Sequence, residues 1–374
     1  MEVSRLNKIP EPISIEIDSI FEELSDREKR DVDREILGLS ITPFDILNET
    51  LSGIRPGFYY GIAGAPRRGK TNLTLELGLL VAKNNKIPVL FYSWEQTRKV
   101  LVARLLSKKS GIPPALIMGE NIYKRPELKE KLEDAREELR EVSEWFYMVE
   151  AGRMHKISRI REDAMRIMDM KKTDKIAIFI DYLQKVPPEK PVQDMSYRID
   201  DISAGLAELS LELSSPVFAI SSLNKEGLKL DETEDDSRPT MHHCTGSGDL
   251  EYDLDVAMIL SKDWPDTKSL KKQIDERLKA QGIDPYSYPM PRIDVINMFI
   301  DKNRDAIPGV SDIIQYLFFI DQNMYLEIGY KLPVEMDPSK FNRYVKIEKI
   351  IDTLVEKGLI FQDLEQWKKK SLKI

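Results

Sequence analysis

A single cysteine, Cys244, stands among 374 residues, so no intramolecular disulfide can form, and the usage fits a reducing compartment. Histidine is almost as scarce. His155, His242 and His243 make no spaced ligand set. His242 and His243 adjoin Cys244, but no second cysteine follows, so "MHHC" is expected to be a loop rather than a metal site. No apolar run approaches the roughly 18 residues that a membrane span needs. The first residues, "MEVSRLNKIPEPISIEI", lack the apolar centre of a signal peptide. Positive charge is not in excess either: 56 Lys and Arg against 64 Asp and Glu leave a net charge of −8. Any contact with nucleic acid or an anionic membrane must therefore be local. No internal repeat or low-complexity tract is present. What remains is the expectation of a soluble cytoplasmic protein with no membrane contact. A composition of 41% apolar and 32% charged residues agrees with it.

The chain divides by pattern. Residues 1–40 are charged and predicted helical over "SIEIDSIFEELSDREKRDVDREIL", with Ile15, Ile17, Ile20, Phe21 and Leu24 able to form one apolar stripe that docks on the core or on a neighbouring subunit. From residue 41 to 332, short β-rich runs alternate with helical stretches. The predicted strands are 57–63, 87–93, 145–150, 175–181, 216–222, 255–260, 293–300 and 314–320; helices are predicted over 70–84, 96–110, 157–170 and 198–214. Strands that are apolar throughout and alternate with helices predict an α/β fold with a mainly parallel sheet covered on both faces. Residues 124–144 and 261–291 read as helical insertions. Residues 333–374 read as a helical tail whose end, "WKKKSLKI", is expected to be a solvated terminus.

The stretch "GAPRRGKT" follows the apolar run "GFYYGIA" and matches the phosphate-loop pattern at Gly64, Gly69, Lys70 and Thr71. Glycines let consecutive backbone N–H groups curve around an anion, and a helix starting near Lys70 aims its N-terminal N–H groups at it. Lys70 can reach terminal phosphates, and the Thr71 hydroxyl can ligate Mg²⁺. The cradle comprises Gly64, Ala65, Pro66, Arg67, Arg68, Gly69, Lys70, Thr71 and Asn72. Arg67 and Arg68 are expected to face solvent, because the loop backbone already supplies donors. Asp181 ends the strand "IAIFID", where a carboxylate can hold the same Mg²⁺. Glu95, after "VLFYSW", can act as general base on an attacking water or cap a helix.

These segments, in this order, resemble the replicative hexameric helicases of the DnaB type, a branch of the RecA-like ATPases. The similarity covers about residues 41–330. It is carried by "GAPRRGKT", by "PVLFYSWEQ" with Glu95 at the family's catalytic glutamate, and by "IAIFIDYLQKV" with Asp181. "VFAISSLNKE", "GSGDLEYDLDVAMIL" with Ser247, Gly248, Glu251, Asp253 and Asp255, and "FIDKNRDAIPG" complete the set. The resemblance implies a RecA-like P-loop ATPase core and a hexameric ring with ATP and Mg²⁺ between subunits. Single-stranded DNA would pass through the centre. It also implies that Lys302 and Arg304 reach a neighbour's nucleotide as a trans cation pair, and it leaves room for Gln184 near the nucleotide.

Departures from the family bear on function. Ser222 stands where the family has a glutamine, and Lys225 where it has an arginine. The following loop, "KEGLKLDETEDDSRP", offers Lys225, Lys229 and Arg238 to DNA but crowds acids between Asp231 and Asp236, which would repel phosphate. Only about 40 residues precede the matching segment, in place of the family's helical N-terminal domain, so no primase or loader contact is carried over. The expected function is a DnaB-like ATP-dependent DNA helicase or translocase on single-stranded DNA. Two alternatives remain open at this point. One is a RecA-like ATPase of recombination, mobile-element replication or helicase loading that does not unwind DNA. The other is a regulatory nucleotide-binding assembly protein.

Overall fold

The computed structural model describes residues 38–119, 122–190, 194–233, 238–246, 250–305, 313–331 and 347–361, with the single positions 21 and 364. The predicted N-terminal helix, the greater part of the tail, Ser247, Gly248 and residues 234–237 lie outside the described residues.

Among the described residues, nine strands form one sheet in the order β3-β2-β4-β5-β1-β6-β7-β8-β9. They are β1 (Tyr59–Gly64), β2 (Val89–Ser93), β3 (Phe146–Glu150), β4 (Ala177–Asp181), β5 (Val217–Ser222), β6 (Val256–Lys262), β7 (Ile293–Asn303), β8 (Ile313–Phe319) and β9 (Met324–Tyr330). The helices of eight or more residues are α1 (Lys70–Asn85), α2 (Arg98–Ser110), α3 (Pro126–Ser143), α4 (Ile157–Lys171), α5 (Met195–Glu212), α6 (Lys225–Glu232), α7 (Trp264–Ala280) and α8 (Ile347–Glu356).

β1 to β6 pair in parallel. Their strands are apolar at nearly every position because helices cover both faces. One face is set by register. Tyr60 lies opposite Phe218 on the neighbouring strand, Phe218 opposite Phe179, and Phe179 opposite Phe91. The rings of Tyr60, Phe218 and Phe179 stack at 4.4 and 4.6 Å, and Phe91 lies 6.2 Å beyond. This aromatic row crosses four strands in the cluster that also holds Leu73, Leu77 and Leu80 of α1. The opposite face packs against Ile160 of α4 and Ile199, Ile202 and Leu206 of α5.

The last three strands differ from the expected pattern. β7, β8 and β9 are antiparallel to their neighbours. For the last two pairs the reason is connection length: residues 304–312 join β7 to β8, and residues 320–323 join β8 to β9, too few for a crossover. β9 was not anticipated, because "MYLEIGY" carries Glu327 in its middle. That carboxylate accepts the backbone N–H groups of Ile46 and Leu47 at 2.7 and 3.0 Å, at the start of the short helix Asp45–Thr50. A third apolar cluster, with Leu270, Ile274 and Leu278 of α7 and Ile350, Ile351 and Leu354 of α8, covers Val295, Leu317 and Phe319 of the antiparallel strands. Among the described residues, no helix is long and apolar enough to cross a membrane.

Candidate active site

The C-terminal edges of β1, β2, β4 and β5 meet at one end of the sheet. Gly64 lies opposite Ser222 of β5, and Ser93 of β2 opposite Asp181 of β4. Carboxyl ends of parallel strands are where such folds place ligands. A cavity of about 970 Å³ opens there, with Lys70, Thr71, Glu95, Arg104, Asp181 and Ser222 on its wall.

The phosphate loop connects β1 to α1. Gly69 has φ 74 and N-caps α1, and a Cβ at this position would come within 2.5 Å of the Tyr325 hydroxyl. Both the left-handed backbone and the neighbour demand glycine. The Lys70 ammonium curls back and donates to the carbonyls of Gly64 at 2.6 Å and Ala65 at 3.0 Å. Burial lowers its pKa to about 8, opposed by the charges of Asp181, Asp231 and Glu95. Thr71 Oγ1 donates to Asp181 Oδ2 at 3.1 Å. Burial raises the Asp181 carboxyl to about 6, with the Thr71 hydrogen bond pulling the other way. A hydroxyl and a carboxylate this close are hard oxygen donors suited to Mg²⁺, and a divalent cation would remove the cost of ionising Asp181.

Glu95 is exposed at the cavity wall. Arg104, on α2, was missed by sequence reasoning. Its guanidinium donates to Asn72 Oδ1 at 2.9 Å, and it faces the charges of Asp181 and Glu95. The signal was a lone cation in the apolar helical run "VLVARLL", nine residues after Glu95. Asn72 is tied on its other side to Asn323 at 3.0 Å, so its amide bridges α1 to the β8–β9 turn.

Several expectations need correction. Arg67 is exposed, as expected, but Arg68 is not solvated. It forms an ion pair with Asp231 at 2.6 Å. The segment from Lys225 is not a loop: Asn224 Oδ1 accepts Gly227 N–H at 2.9 Å and caps α6. Asp231 is buried, whereas Lys225 and Lys229 are exposed. At about 100° per residue, Asp231 sits about 160° around the helix from Lys229, so this acid does not share the lysine face. Arg238 does not project freely with them; it lies over the Phe299 ring at 4.7 Å. "MHHC" forms a 3₁₀ turn over Met241–His243 followed by buried Cys244, and His242 pairs with Glu251 at 2.9 Å. Gln184 is buried and donates to Ser221 Oγ at 2.8 Å.

Lys302 and Arg304 lie at the opposite end of the strands. Lys302 pairs with Ala257 near the start of β6. Ala257 lies opposite Gly61 of β1, three residues before Gly64, so Lys302 is set back from the cavity by about 10 Å along the strands, at about 3.3 Å per residue. Lys302 Nζ donates to the Glu251 carbonyl at 2.6 Å, and Arg304 pairs with Asp255 at 2.7 Å. Asp255 also accepts Tyr59 N–H at 2.8 Å. Lys302 and Arg304 are therefore not brought to the cavity of their own chain.

A parallel sheet that delivers a phosphate loop, a buried aspartate and an exposed glutamate to one end defines a RecA-like phosphate-loop fold. Residues 38–319 match the family described as "DnaB-like helicase C terminal domain", and the chain belongs to that family. It is 28% identical over 343 residues to the replicative DNA helicase DnaB of Rickettsia bellii, covering 87% of this chain and 64% of that one. With the replicative DNA helicase DnaB of Leifsonia xyli the identity is 26% over 227 residues, 59% of this chain and 46% of the relative. Among solved structures, one described as an ATPase domain superposes with a TM-score of 0.68 at 22% identity, covering 85% of this chain and 99% of that one. A DnaB-like replicative helicase, solved in a study of its interactions with primase, gives 0.64 at 21% identity, with 85% and 67% covered. These likenesses establish the RecA-like fold, and the chain spans about half to two thirds of the curated relatives' length.

Proposed function

We propose that the chain is the motor portion of a DnaB-like, ATP-dependent DNA helicase that hydrolyses ATP between subunits of a ring, expected to be a hexamer, and moves on single-stranded DNA. The observation that carries the reading is the grouping of Lys70, Thr71, Asp181 and Glu95 around one cavity at the strand ends. Family membership supports it.

The geometry supports a role for each residue. The Lys70 ammonium is held by two loop carbonyls. A triphosphate offers a full negative charge in their place, so Lys70 transfers to it and stays protonated. Thr71 and Asp181 would hold the magnesium, which when bound neutralises charge on the terminal phosphate oxygens. Glu95, exposed to the cavity, orients a water for in-line attack and accepts its proton. Arg104 faces the charges of both Asp181 and Glu95 and offsets their repulsion; it is a positioning residue. Lys302 and Arg304, at the far end of the strands, suit a neighbour's nucleotide. On reaching it, Arg304 exchanges Asp255 for the developing phosphate charge. Lys225 and Lys229 are exposed on one side of α6, which also carries exposed Glu232, and they are the cations that would meet the DNA backbone.

A second reading, an ATPase without unwinding activity, is favoured by one observation. Ser222, at the strand end, makes a 3.3 Å contact with the Thr245 hydroxyl, where the family's glutamine would extend further. The test is steady-state ATP hydrolysis with and without single-stranded DNA at two salt concentrations, with Lys70→Ala as the blank. Stimulation by DNA that weakens with salt supports a motor. Hydrolysis indifferent to DNA overturns it, and failure to open a forked duplex despite stimulation selects the second reading.

A further inference from the structure

Arg68 belongs to the phosphate loop but is gripped from outside it. Its Nε donates to Asp231 Oδ2 at 2.8 Å, and a terminal nitrogen lies 2.6 Å from the same oxygen. The Asp231 side chain has no exposed surface, and that of Arg68 is 12% exposed. Trp264, the first residue of α7, closes the group. Its ring lies under the Arg68 guanidinium at 5.7 Å, and its indole N–H donates to the Asp231 carbonyl at 3.1 Å. Lys262 sits over the same ring at 4.1 Å. The Tyr325 hydroxyl of β9 donates to the Arg68 carbonyl. One loop residue is thus held by α6, α7 and β9.

α6 is held at both ends by the cavity wall. Its N-terminus follows β5, whose last residue, Ser222, lines the cavity. Its last turn carries Asp231, bound to Arg68. Between these anchors, Lys225 and Lys229 are exposed. Among the described residues, the other oxygen of Asp231 is buried without a hydrogen-bond partner. Separating Arg68 from Asp231 would leave a buried carboxylate with neither its ion pair nor that bond, which is strongly unfavourable. The two residues therefore move together.

We propose that the Arg68–Asp231 pair, closed by Trp264, is a clasp that carries occupancy of the phosphate cradle to α6. It would set how Lys225 and Lys229 are presented to a polyanion, single-stranded DNA. Arg68 and Asp231 are positioning residues in this arrangement. When a triphosphate rearranges the loop, α6 follows as one rigid element, and by linkage DNA binding at the lysines changes nucleotide affinity by the same factor as the nucleotide changes DNA affinity. The inference rests on reading the cavity as a nucleotide site and α6 as the DNA-facing element.

The test uses the full chain with a slowly hydrolysed ATP analogue and a labelled single-stranded oligonucleotide. Fluorescence anisotropy gives DNA affinity with and without the analogue, and hydrogen exchange of residues 225–232 reports on α6 directly. In the wild type the analogue should change DNA affinity at least about fivefold and alter exchange in α6. Asp231→Asn should bring the affinity ratio to about one and abolish the exchange response, while analogue affinity without DNA stays within about twofold. R68Q/D231N removes both charges and leaves no unpaired ion to unfold the protein; compared at saturating analogue, whatever its analogue affinity, it should also bring the DNA-affinity ratio to about one and abolish the exchange response. Coupling and exchange response retained in both variants would overturn the clasp. If the analogue binds but DNA does not, the DNA reading fails, and the exchange response alone decides whether loop and helix are linked. If the analogue does not bind, the nucleotide reading fails and the clasp with it.

Discussion

Replacing Asp181 by asparagine should stabilise the nucleotide-free protein at neutral pH. The carboxyl is buried at the end of β4 and rises from its ordinary 3.8 to about 6. A raised acid destabilises the native state wherever it must ionise. Below 3.8 it is protonated folded and unfolded, and no penalty arises. As pH climbs through about 6, the folded protein must charge a desolvated group, and stability falls. At about 1.4 kcal/mol per tenfold change, the rise corresponds to about 3 kcal/mol at pH 7. Part is returned, because Asp181 is the foremost charge supporting protonated Lys70, itself lowered to about 8. The net gain expected of Asp181→Asn is about 1–3 kcal/mol at pH 7, shrinking to nothing near pH 4. The asparagine oxygen can still accept from Thr71, so the geometry should survive. Urea unfolding followed by tryptophan fluorescence, run for both proteins between about pH 4 and 8, measures the difference. Parallel stability curves over that range would refute the claim that burial raises this carboxyl. The same variant should lose hydrolysis, since the stabilised site has lost its cation-binding charge.

Lys70→Ala should reduce ATP turnover by at least about 10²-fold, measured by phosphate release, because the loop keeps its backbone donors and loses its mobile cation. Glu95→Gln should bind a fluorescent ATP analogue with near wild-type affinity yet slow turnover about 10²- to 10⁴-fold; full activity would remove Glu95 as base. Arg304→Ala should lower turnover about 10³-fold or more with nucleotide affinity kept, and doping it into wild-type protein should depress activity beyond simple dilution. Gly69→Ala forces a Cβ onto the Tyr325 hydroxyl at a positive φ, so a stability loss above about 1 kcal/mol and loss of nucleotide binding are expected by thermal melting and titration.

Much of the site is local chemistry and could be read directly. A glycine at the αL position, a lysine and threonine opening a helix, and acids following apolar strands each need only their near neighbours in the chain. So did the parallel core, since strands buried on both faces are apolar at every position. The charged helix α3 was equally plain, as solvated faces are.

The sequence by itself determined that an anion-binding loop joins a buried strand to a helix and that carboxylates close neighbouring strands. Tertiary structure alone decided which distant charges meet. Arg68 looked solvated because its partner lies 163 positions away, on a helix reached through β5. Asp231 looked like one of a cluster of exposed acids, yet the helical turn sends it inward while Lys225 and Lys229 stay outside. Glu327 disguised β9 because its ionic character is absorbed by two N–H groups some 280 residues earlier. Arg104 required the fold to bring α2 over α1. Lys302 and Arg304 could be matched by pattern, but only the antiparallel direction of β7 put them at the far end of the strands, away from their own cavity. Local conformation follows from short-range sterics and hydrogen bonding; ion pairs across hundreds of residues follow from topology, which no window of sequence contains.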